Sequence, residues 1–352
     1  MKILVIQQKR IGDVLAGTII CNNLRRIYPD SEIHYLVYDF TKEVALNNPN
    51  IDKIISYKDE YRNNYKLFTF AFKIRKEKYD IVIDAYGKLE SRIITFLSNA
   101  STRIGRKSKM KRVYNLEVPK AKYTNSKIGS VLEEKIDLIK PLIKDPNFRF
   151  DYAPKMYLDE VSQKEIPNLF PANYDFSKKT LMFGIIGSVE DKTLPLNKML
   201  HIVNYFNNKY NLNILLNYFK NQREEAGLFY EKIEKKDSVY FDVYGETITQ
   251  LTQILTKVDA YIGNDCGFTN ISKACDVPTY AIFAPFIYKH DWATLENLKT
   301  NTSYHLVDYD DEVKNINIQE IRDNISQYYA KFDENQMIAL IENFLKELNI
   351  LS

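Results

Sequence analysis

The chain has 352 residues, of which 45% are hydrophobic and 27% are charged. This length and composition predict two domains with hydrophobic cores, and they exclude a disordered, collagenous or coiled-coil protein. The apolar runs, such as residues 3–6, are short compared with the roughly 20 residues of a membrane-spanning helix. The first residues of the chain do not resemble a secretory signal peptide. We therefore expect neither a spanning helix nor export.

Strand-like and helical segments alternate along the first part of the chain. The apolar spacing predicts strands at residues 2–6, 32–38, 53–56 and 81–84. It predicts helices at residues 14–28, near 41–47, and in a segment that ends at 74–78. This alternation is typical of a parallel α/β sheet.

Four prolines between residues 146 and 180 interrupt the alternation and predict an interdomain linker. Beyond them, strands are predicted at residues 181–186, 213–216, 239–243, 260–262 and 279–283. Helices are predicted at residues 196–209, 224–235, 248–257, 270–275 and 334–348. The predicted architecture is two doubly wound, Rossmann-like α/β domains in tandem, at residues 1–160 and 175–330, followed by a C-terminal helix within residues 331–352.

Charge is distributed unevenly between the two halves. Residues 1–150 hold 29 Lys and Arg against 17 Asp and Glu, a net charge of +12, whereas residues 151–352 hold 20 against 29, a net charge of −9. A basic first half predicts an anionic partner, which is a nucleic acid, an anionic membrane face or a phosphorylated substrate.

Cysteine and histidine residues are few and scattered. The three cysteines have no C-x-x-C spacing, and the four histidines form no ligand pattern. We therefore expect no disulfide framework, no metal site and a reducing, cytoplasmic environment.

The first candidate motif is Arg10-Ile11-Gly12-Asp13-Val14, between the first strand and the first helix. Ligands of open α/β sheets bind beyond the carboxyl ends of strands, so Asp13 is placed to accept a proton from a hydroxyl group as a general base. Taken alone, the motif favours an N-cap role for Asp13. A dinucleotide fingerprint is absent, since Gly12 and Gly17 do not make G-x-G-x-x-G.

The second candidate is the segment 103–112, in which six of ten residues are basic. These residues suit the phosphates of an anionic substrate or membrane surface, and a solvated basic face is an equal alternative. Nucleic acid is disfavoured because the segment contains no aromatic residue for base stacking.

Two further motifs lie in the second half, each after a predicted strand. Gly187, Ser188 and Lys192 offer backbone N–H groups and a cation that suit a diphosphate, although an ordinary loop lysine is the simpler reading of this segment alone. Asp265 and Cys266 form a glycine turn with Gly267 before a short helix, where backbone N–H groups again favour an anion.

Taken together in chain order, these four motifs resemble those of the ADP-heptose:lipopolysaccharide heptosyltransferases of glycosyltransferase family nine. The resemblance extends from residue 1 to about residue 295 and rests on residues 2–14 with 24–30, 79–87 with 103–105, Gly245 with Thr247, and 262–267. It implies a GT-B fold, in which the first domain binds the acceptor, the second binds the nucleotide-sugar, and the C-terminal helix packs back on the first domain.

The resemblance also implies site residues and partners. Asp13 would be the general base, and the donor-binding residues would be Ser188, Lys192, Glu224, Asp265, Cys266 and Gly267. The basic residues expected at the anionic lipid A–core acceptor are Lys9, Arg10, Arg103 and Arg106. Such enzymes invert the anomeric centre and use no metal or other cofactor, because cationic and backbone groups stabilise the leaving diphosphate. A peripheral contact with the inner membrane and no contact with nucleic acid are expected.

The sequence departs from the family pattern on the donor side. Phe268 and Asn270 stand where the pattern has proline and histidine, and Ile185-Ile186-Gly187 replaces H-P-G. Two alternatives therefore stay open, namely a different nucleotide-sugar donor and a catalytically inactive binding relative. A dinucleotide-dependent oxidoreductase or epimerase is disfavoured by the missing glycine fingerprint.

Overall fold

The computed structural model describes residues 1–107, 109–121, 123 and 126–351, so Ser108 of the basic segment 103–112 lies outside the described residues. The chain divides into two compact units, Met1–Tyr157 and Leu158–Ser352. Each unit contains a six-stranded sheet whose strands all run parallel. The predicted tandem of doubly wound α/β folds is thereby confirmed.

The first sheet has the strand order β3-β2-β1-β4-β5-β6. Its strands are β1 Lys2–Ile6, β2 Glu32–Tyr38, β3 Lys53–Tyr57, β4 Ile81–Asp84, β5 Thr102–Arg106 and β6 Leu116–Val118. Its helices are α1 Ile11–Ile27, α2 Asn64–Lys76, α3 Leu89–Ser98 and α4 Ser130–Asp137. The central strands β1 and β4 are almost entirely buried, as expected where helices cover both faces of a parallel sheet.

The second sheet repeats this topology in the order β9-β8-β7-β10-β11-β12. Its strands are β7 Thr180–Gly184, β8 Asn213–Asn217, β9 Val239–Tyr240, β10 Ala260–Asn264, β11 Thr279–Ile282 and β12 Asn301–Tyr304. The helices of this unit are α5 Glu160–Glu165, α6 Leu196–Lys209, α7 Arg223–Glu231, α8 Ile248–Leu255, α9 Gly267–Ala274, α10 Lys289–Trp292, α11 Ile318–Asp323, α12 Ile325–Ala330 and α13 Glu334–Glu347.

Helix α1 begins three residues earlier than predicted. Arg10 occupies the N-cap position, so Asp13 lies in the first turn rather than at the cap, where its negative charge faces the positive end of the helix dipole. Gly17 allows the helix to approach β2 closely, because a side chain there would collide with the Tyr35 hydroxyl, which donates a hydrogen bond to the Val14 carbonyl oxygen at 2.7 Å. The segment predicted as a helix near residues 41–47 is the 3₁₀ turn Asp39–Ala45.

The C-terminal helix α13 belongs to the second unit. Its apolar side chains join the core of that unit, and it packs on α6. The Lys198 ammonium lies 2.8 Å from the Glu334 carboxylate, and Lys209 lies 2.7 Å from Glu342. These ion pairs and the shared apolar face attach the helix to the second unit.

In the part of the chain that the structure describes, no helix has the length and apolar character required to cross a bilayer.

Candidate active site

Both sheets have a topological switch point, where the strand order reverses between two neighbouring strands. It lies between β1 and β4 in the first unit, and between β7 and β10 in the second. Open α/β sheets bind ligands in the crevice outside the carboxyl ends of such strands. The predicted site residues that follow these strands are Lys9, Arg10 and Asp13 after β1, Ser188 and Lys192 after β7, and Asp265, Cys266 and Gly267 after β10.

In the first unit, Asp13 is held by a neighbouring cation. Its carboxylate is buried, with 10% of the side chain exposed, and lies 2.8 Å from the Lys9 ammonium one helical turn before it. Lys9 and Arg10 themselves are exposed. The arrangement presents one oriented carboxylate beside two accessible cations, which suits a hydroxyl group carried by an anionic molecule.

A buried lysine that no sequence motif predicts lies near Asp13. The Lys135 ammonium of α4 donates to the Gln7 side-chain oxygen and, at 3.0 Å, to the Ala85 carbonyl oxygen. Burial lowers the pKa of Lys135 to about 8, although the nearby Asp13 carboxylate opposes this shift. Lys135 therefore connects the loops after β1 and β4 and adds a cation near Asp13.

The same edge contains a buried carboxyl group. Asp84 accepts hydrogen bonds from the hydroxyl groups of Tyr114 and Ser91, at 2.6 and 3.0 Å, and from the backbone N–H of Gly87 at 2.8 Å. Burial raises the pKa of Asp84, and these hydrogen bonds offset part of the increase. Asp84 thus organises the turn after β4.

Arg103 and Arg106, predicted to bind the acceptor, both contact backbone carbonyl groups of their own unit. The Arg103 guanidinium donates to the carbonyl oxygens of Val113 and Ala100, at 2.9 and 2.7 Å. Arg103 also pairs in register with Val82, two residues before the carboxyl end of β4. These contacts give Arg103 a structural role, and its acceptor role stays a prediction.

Arg106 makes similar contacts. Its guanidinium donates to the carbonyl oxygens of Pro119 and Glu134 and lies 3.2 Å from the Asp137 carboxylate. These contacts fix the chain that leads into α4. The acceptor role of Arg106 stays a prediction. Of the other basic residues in this segment, Lys107, Lys109 and Lys111 are exposed.

In the second unit, the loop after β7 is folded back on itself. The Gly187 N–H donates to the Thr193 hydroxyl at 3.0 Å, and its carbonyl oxygen accepts from the Gln222 amide at 2.7 Å. A side chain at Gly187 would collide with the Lys192 carbonyl oxygen, so the tight turn requires glycine here. This turn carries the half-buried Ser188 and Lys192.

Asn264 joins this loop to the end of β10, a role that the sequence analysis missed. Its amide nitrogen donates to the carbonyl oxygens of Gly184 and Ile185, at 3.0 and 3.1 Å, and its side-chain oxygen accepts from the Leu194 N–H at 2.7 Å. The two sides of the switch point are therefore held together by one side chain.

Lys192 and Asp265 meet at this point. The Lys192 ammonium lies 3.3 Å from the Asp265 carboxylate, whose side chain is 6% exposed. Burial raises the pKa of Asp265, and Lys192 opposes the increase. Helix α9 begins at Gly267, three residues earlier than predicted, so a cation and the first N–H groups of a helix lie at one strand end. This combination suits an anionic ligand.

The neighbouring residues have structural roles. Cys266 is the N-cap residue of α9, and burial raises the pKa of its thiol, which does not favour a nucleophile. Phe268 stacks on Phe219 with ring centroids 4.1 Å apart. The Asn270 amide donates to the Cys266 carbonyl oxygen at 3.0 Å. The departures from the family pattern at 268 and 270 thus stabilise the turn.

Glu224 is exposed on the first turn of α7. The next residue, Glu225, lines a cavity of about 580 Å³ together with Glu190, Gln222, Ile325 and Tyr329. Glu225 is therefore better placed than Glu224 to contact a molecule in that cavity.

Lys273 provides a test of the electrostatics of this unit. Its buried ammonium donates to the Thr294 carbonyl oxygen at 2.9 Å, and burial lowers its pKa to about 8. Between about pH 8 and pH 10.5, Lys273 is therefore protonated to a greater extent in the unfolded chain than in the folded chain. The free energy of unfolding rises with pH over this range as a result. We expect Lys273→Met to remove about 2 kcal/mol of the increase between pH 7.5 and pH 9.5. Urea unfolding, followed by the fluorescence of the single tryptophan, Trp292, measures this difference.

The control for this prediction is Lys299→Met, at an exposed position of the same unit. It should preserve the wild-type dependence on pH. An identical pH dependence in Lys273→Met and the wild type would show that Lys273 is not a strained buried cation.

Comparisons with known proteins identify the relatives of this chain. A sequence model described as glycosyltransferase family 9 (heptosyltransferase) matches residues 67–318. Lipopolysaccharide heptosyltransferase 1 from Campylobacter coli is 21% identical over 290 residues, which cover 80% of this chain and 84% of the relative. The range matched by the family model contains β7 and β10 and begins after β1 and Asp13.

Solved structures have the same fold. A family 9 glycosyl transferase from Veillonella parvula superimposes with a TM-score of 0.83 at 18% identity, covering 98% of this chain and 97% of that one. The Escherichia coli ADP-heptose LPS heptosyltransferase II superimposes with a TM-score of 0.70 at 14% identity, covering 94% and 99%. The predicted GT-B arrangement of two Rossmann-like folds is confirmed.

Proposed function

The chain belongs to glycosyltransferase family 9, and we propose that it transfers a heptose from ADP-heptose to the inner core of a lipopolysaccharide or lipooligosaccharide. One observation carries this proposal. Asp13 and Lys192 follow the first strand of their respective sheets, at the two equivalent switch points. A base at one switch point and an anion-binding group at the other are the two components that sugar transfer from a nucleotide requires.

In the proposed reaction, an acceptor hydroxyl oxygen attacks the anomeric carbon of the donor. The bond between that carbon and the diphosphate oxygen breaks, and its electron pair leaves with the diphosphate. The hydroxyl proton passes to the Asp13 carboxylate, which the Lys9 ammonium orients. A single displacement of this kind inverts the anomeric configuration.

Lys192 and the N-terminus of α9 are proposed to bind the donor diphosphate. The ammonium group and the backbone N–H groups would stabilise the negative charge that develops on the leaving oxygen. Ser188, in the loop after β7, and Gly267, the first residue of α9, are proposed to contribute further N–H groups, and Asp265 holds Lys192 in place. Glu224 is replaced in the proposal by Glu225, which lines the neighbouring cavity.

For the acceptor, we propose an anionic lipid A–core molecule held near Lys9 and Arg10. The first half of the chain carries a net charge of +12, which favours a phosphorylated acceptor. Such an acceptor would place the enzyme at the cytoplasmic face of the inner membrane.

Thermal-shift binding against a panel of nucleotide-sugars tests the donor. We expect ADP-heptose and ADP to raise the melting temperature of the wild type, since a ligand that binds the folded state stabilises it by mass action. UDP-, GDP- and CMP-sugars at the same concentration should give little shift. A larger shift with one of them would overturn the ADP assignment but keep the transferase class. No shift with any nucleotide would favour an inactive relative.

A further inference from the structure

Helix α2 carries large aromatic side chains on its solvent side. Tyr65, Phe68 and Phe72 follow the spacing i, i+3 and i+7, and each exposes between 45% and 81% of its surface. The opposite side of the helix packs on the sheet through Leu67, Phe70, Ala71 and Ile74. A helix on the surface of a soluble protein ordinarily has polar residues on its outer side, so this aromatic stripe has no function in the unit's own core.

Helix α3 extends the apolar surface. It packs beside α2 on the same face of the sheet and exposes Leu89 and Phe96, at 61% and 50%, seven residues apart. We call Tyr65, Phe68, Phe72, Leu89 and Phe96 the aromatic face. Grouped apolar side chains of this size usually mark an interaction site, whereas isolated ones do not.

The charged side chains of α2, the helix that carries most of the aromatic face, are all basic. Between Asn64 and Lys76 the helix contains no Asp or Glu, and its basic residues are Lys66, Lys73, Arg75 and Lys76. Lys66 pairs with Glu60 outside the helix at 2.9 Å, while the other three are exposed near its C-terminal end. A partner of this face must therefore tolerate aromatic insertion and carry negative charge.

We propose that the aromatic face docks on an anionic lipid bilayer, with α2 lying in the plane of the interface. Phenylalanine and tyrosine side chains enter the region between headgroups and acyl chains, while lysine and arginine side chains contact anionic headgroups. This inference rests on one element of the proposed function, namely that the acceptor is a membrane lipid. It also moves the expected membrane contact away from residues 103–112, which contain charge but no aromatic side chain.

Sedimentation of the full chain with lipid vesicles tests the proposal. We expect binding to vesicles of phosphatidylethanolamine and phosphatidylglycerol, weaker binding to phosphatidylcholine vesicles, and loss of binding at high salt. The double variant Phe68→Ser/Phe72→Ser should weaken the binding roughly tenfold or more. Lys73→Gln/Lys76→Gln should weaken binding to the anionic vesicles and reduce its salt dependence.

The matched control is Leu228→Ser on α7 of the second unit, where the side chain is 65% exposed. It should bind vesicles as the wild type does, and thermal unfolding should show that all the variants are folded. Equal vesicle binding by the wild type and Phe68→Ser/Phe72→Ser would overturn the proposal. A second outcome would also overturn it: the wild type does not bind vesicles but sediments as a dimer, and Phe68→Ser/Phe72→Ser sediments as a monomer. The aromatic face would then join two copies of the chain.

Failure of this proposal is distinguishable from failure of the proposed function. The vesicles contain no lipopolysaccharide, and transfer is measured separately on a deacylated, soluble acceptor. Transfer without vesicle binding would overturn the docking surface alone. Vesicle binding without transfer would overturn the proposed function and leave the docking surface in place.

Discussion

Replacement of Asp13 by asparagine is expected to lower kcat for sugar transfer about a thousandfold while leaving donor binding unchanged. Asparagine has nearly the same shape but cannot take the proton of the acceptor hydroxyl, and general bases typically contribute factors of this size. Asp13 lies in the first unit, whereas the proposed diphosphate site lies in the second. Release of ADP at saturating donor and acceptor, together with the thermal shift produced by ADP, measures the two effects separately.

The control for Asp13 is its ion-pair partner. Lys9→Gln removes the 2.8 Å contact but keeps the carboxylate, so transfer should fall by about tenfold or less. Transfer by Asp13→Asn within tenfold of the wild type would exclude Asp13 as the base. An equal loss in Lys9→Gln and Asp13→Asn would instead indicate that the pair acts by positioning.

The regular elements were predictable where a buried strand or an amphipathic helix stands alone in the sequence. The bounds predicted for β1, β2, β4 and α6 agree with the structure. The segments without a prediction include α3, β5, β6 and α4. Strand β5 contains a single large apolar residue, Ile104, and β6 has only three residues, so neither shows the continuous apolar run of a central strand.

The candidate site was predictable only where its residues directly follow a strand. Asp13, Lys192 and Asp265 come after β1, β7 and β10, where the rule about strand ends predicts a ligand site. Lys135 contacts Gln7 across 128 residues of sequence, and no local pattern predicts such a contact.

The contacts of Arg103 and Arg106 were not predictable for the same reason. A basic residue in a sequence does not indicate whether its partner is a ligand or a backbone carbonyl group. Arg103 and Arg106 donate to carbonyl oxygens of segments whose structure was not predicted, including Ala100 and, in α4, Glu134, and these partners became visible only in the folded chain.

The C-terminal helix illustrates a different limit. The spacing of its apolar residues predicts an amphipathic helix, but either unit of an α/β tandem offers a sheet or a helix against which to pack it. The choice depends on specific partners. Glu342 lies within 3.1 Å of both Lys209 and Lys346 and accepts a hydrogen bond from Tyr210, and Phe344 packs edge-on against Tyr280.

Replacement of Lys192 by alanine is expected to abolish the thermal shift produced by ADP and to lower kcat/KM for transfer by about a thousandfold. The ammonium group is the cation proposed to meet the diphosphate in both the ground state and the transition state, and the loss of such a group typically costs about 3–4 kcal/mol. The variant also leaves the buried Asp265 carboxylate without its partner at 3.3 Å. Its stability should therefore fall, by about 1–3 kcal/mol.

The double variant Lys192→Ala/Asp265→Asn separates these two consequences. Asparagine removes the unpaired buried charge, so the stability of the double variant should recover most of the loss seen in Lys192→Ala, as measured by urea unfolding. If Lys192 contacts the diphosphate, ADP binding and transfer remain absent in the double variant even though the fold is restored. Recovery of ADP binding together with stability would show that Lys192 acts only by neutralising Asp265, and the diphosphate would then depend on the N-terminus of α9. The comparison therefore tests whether the anion at the second switch point is bound by a side chain or by the backbone.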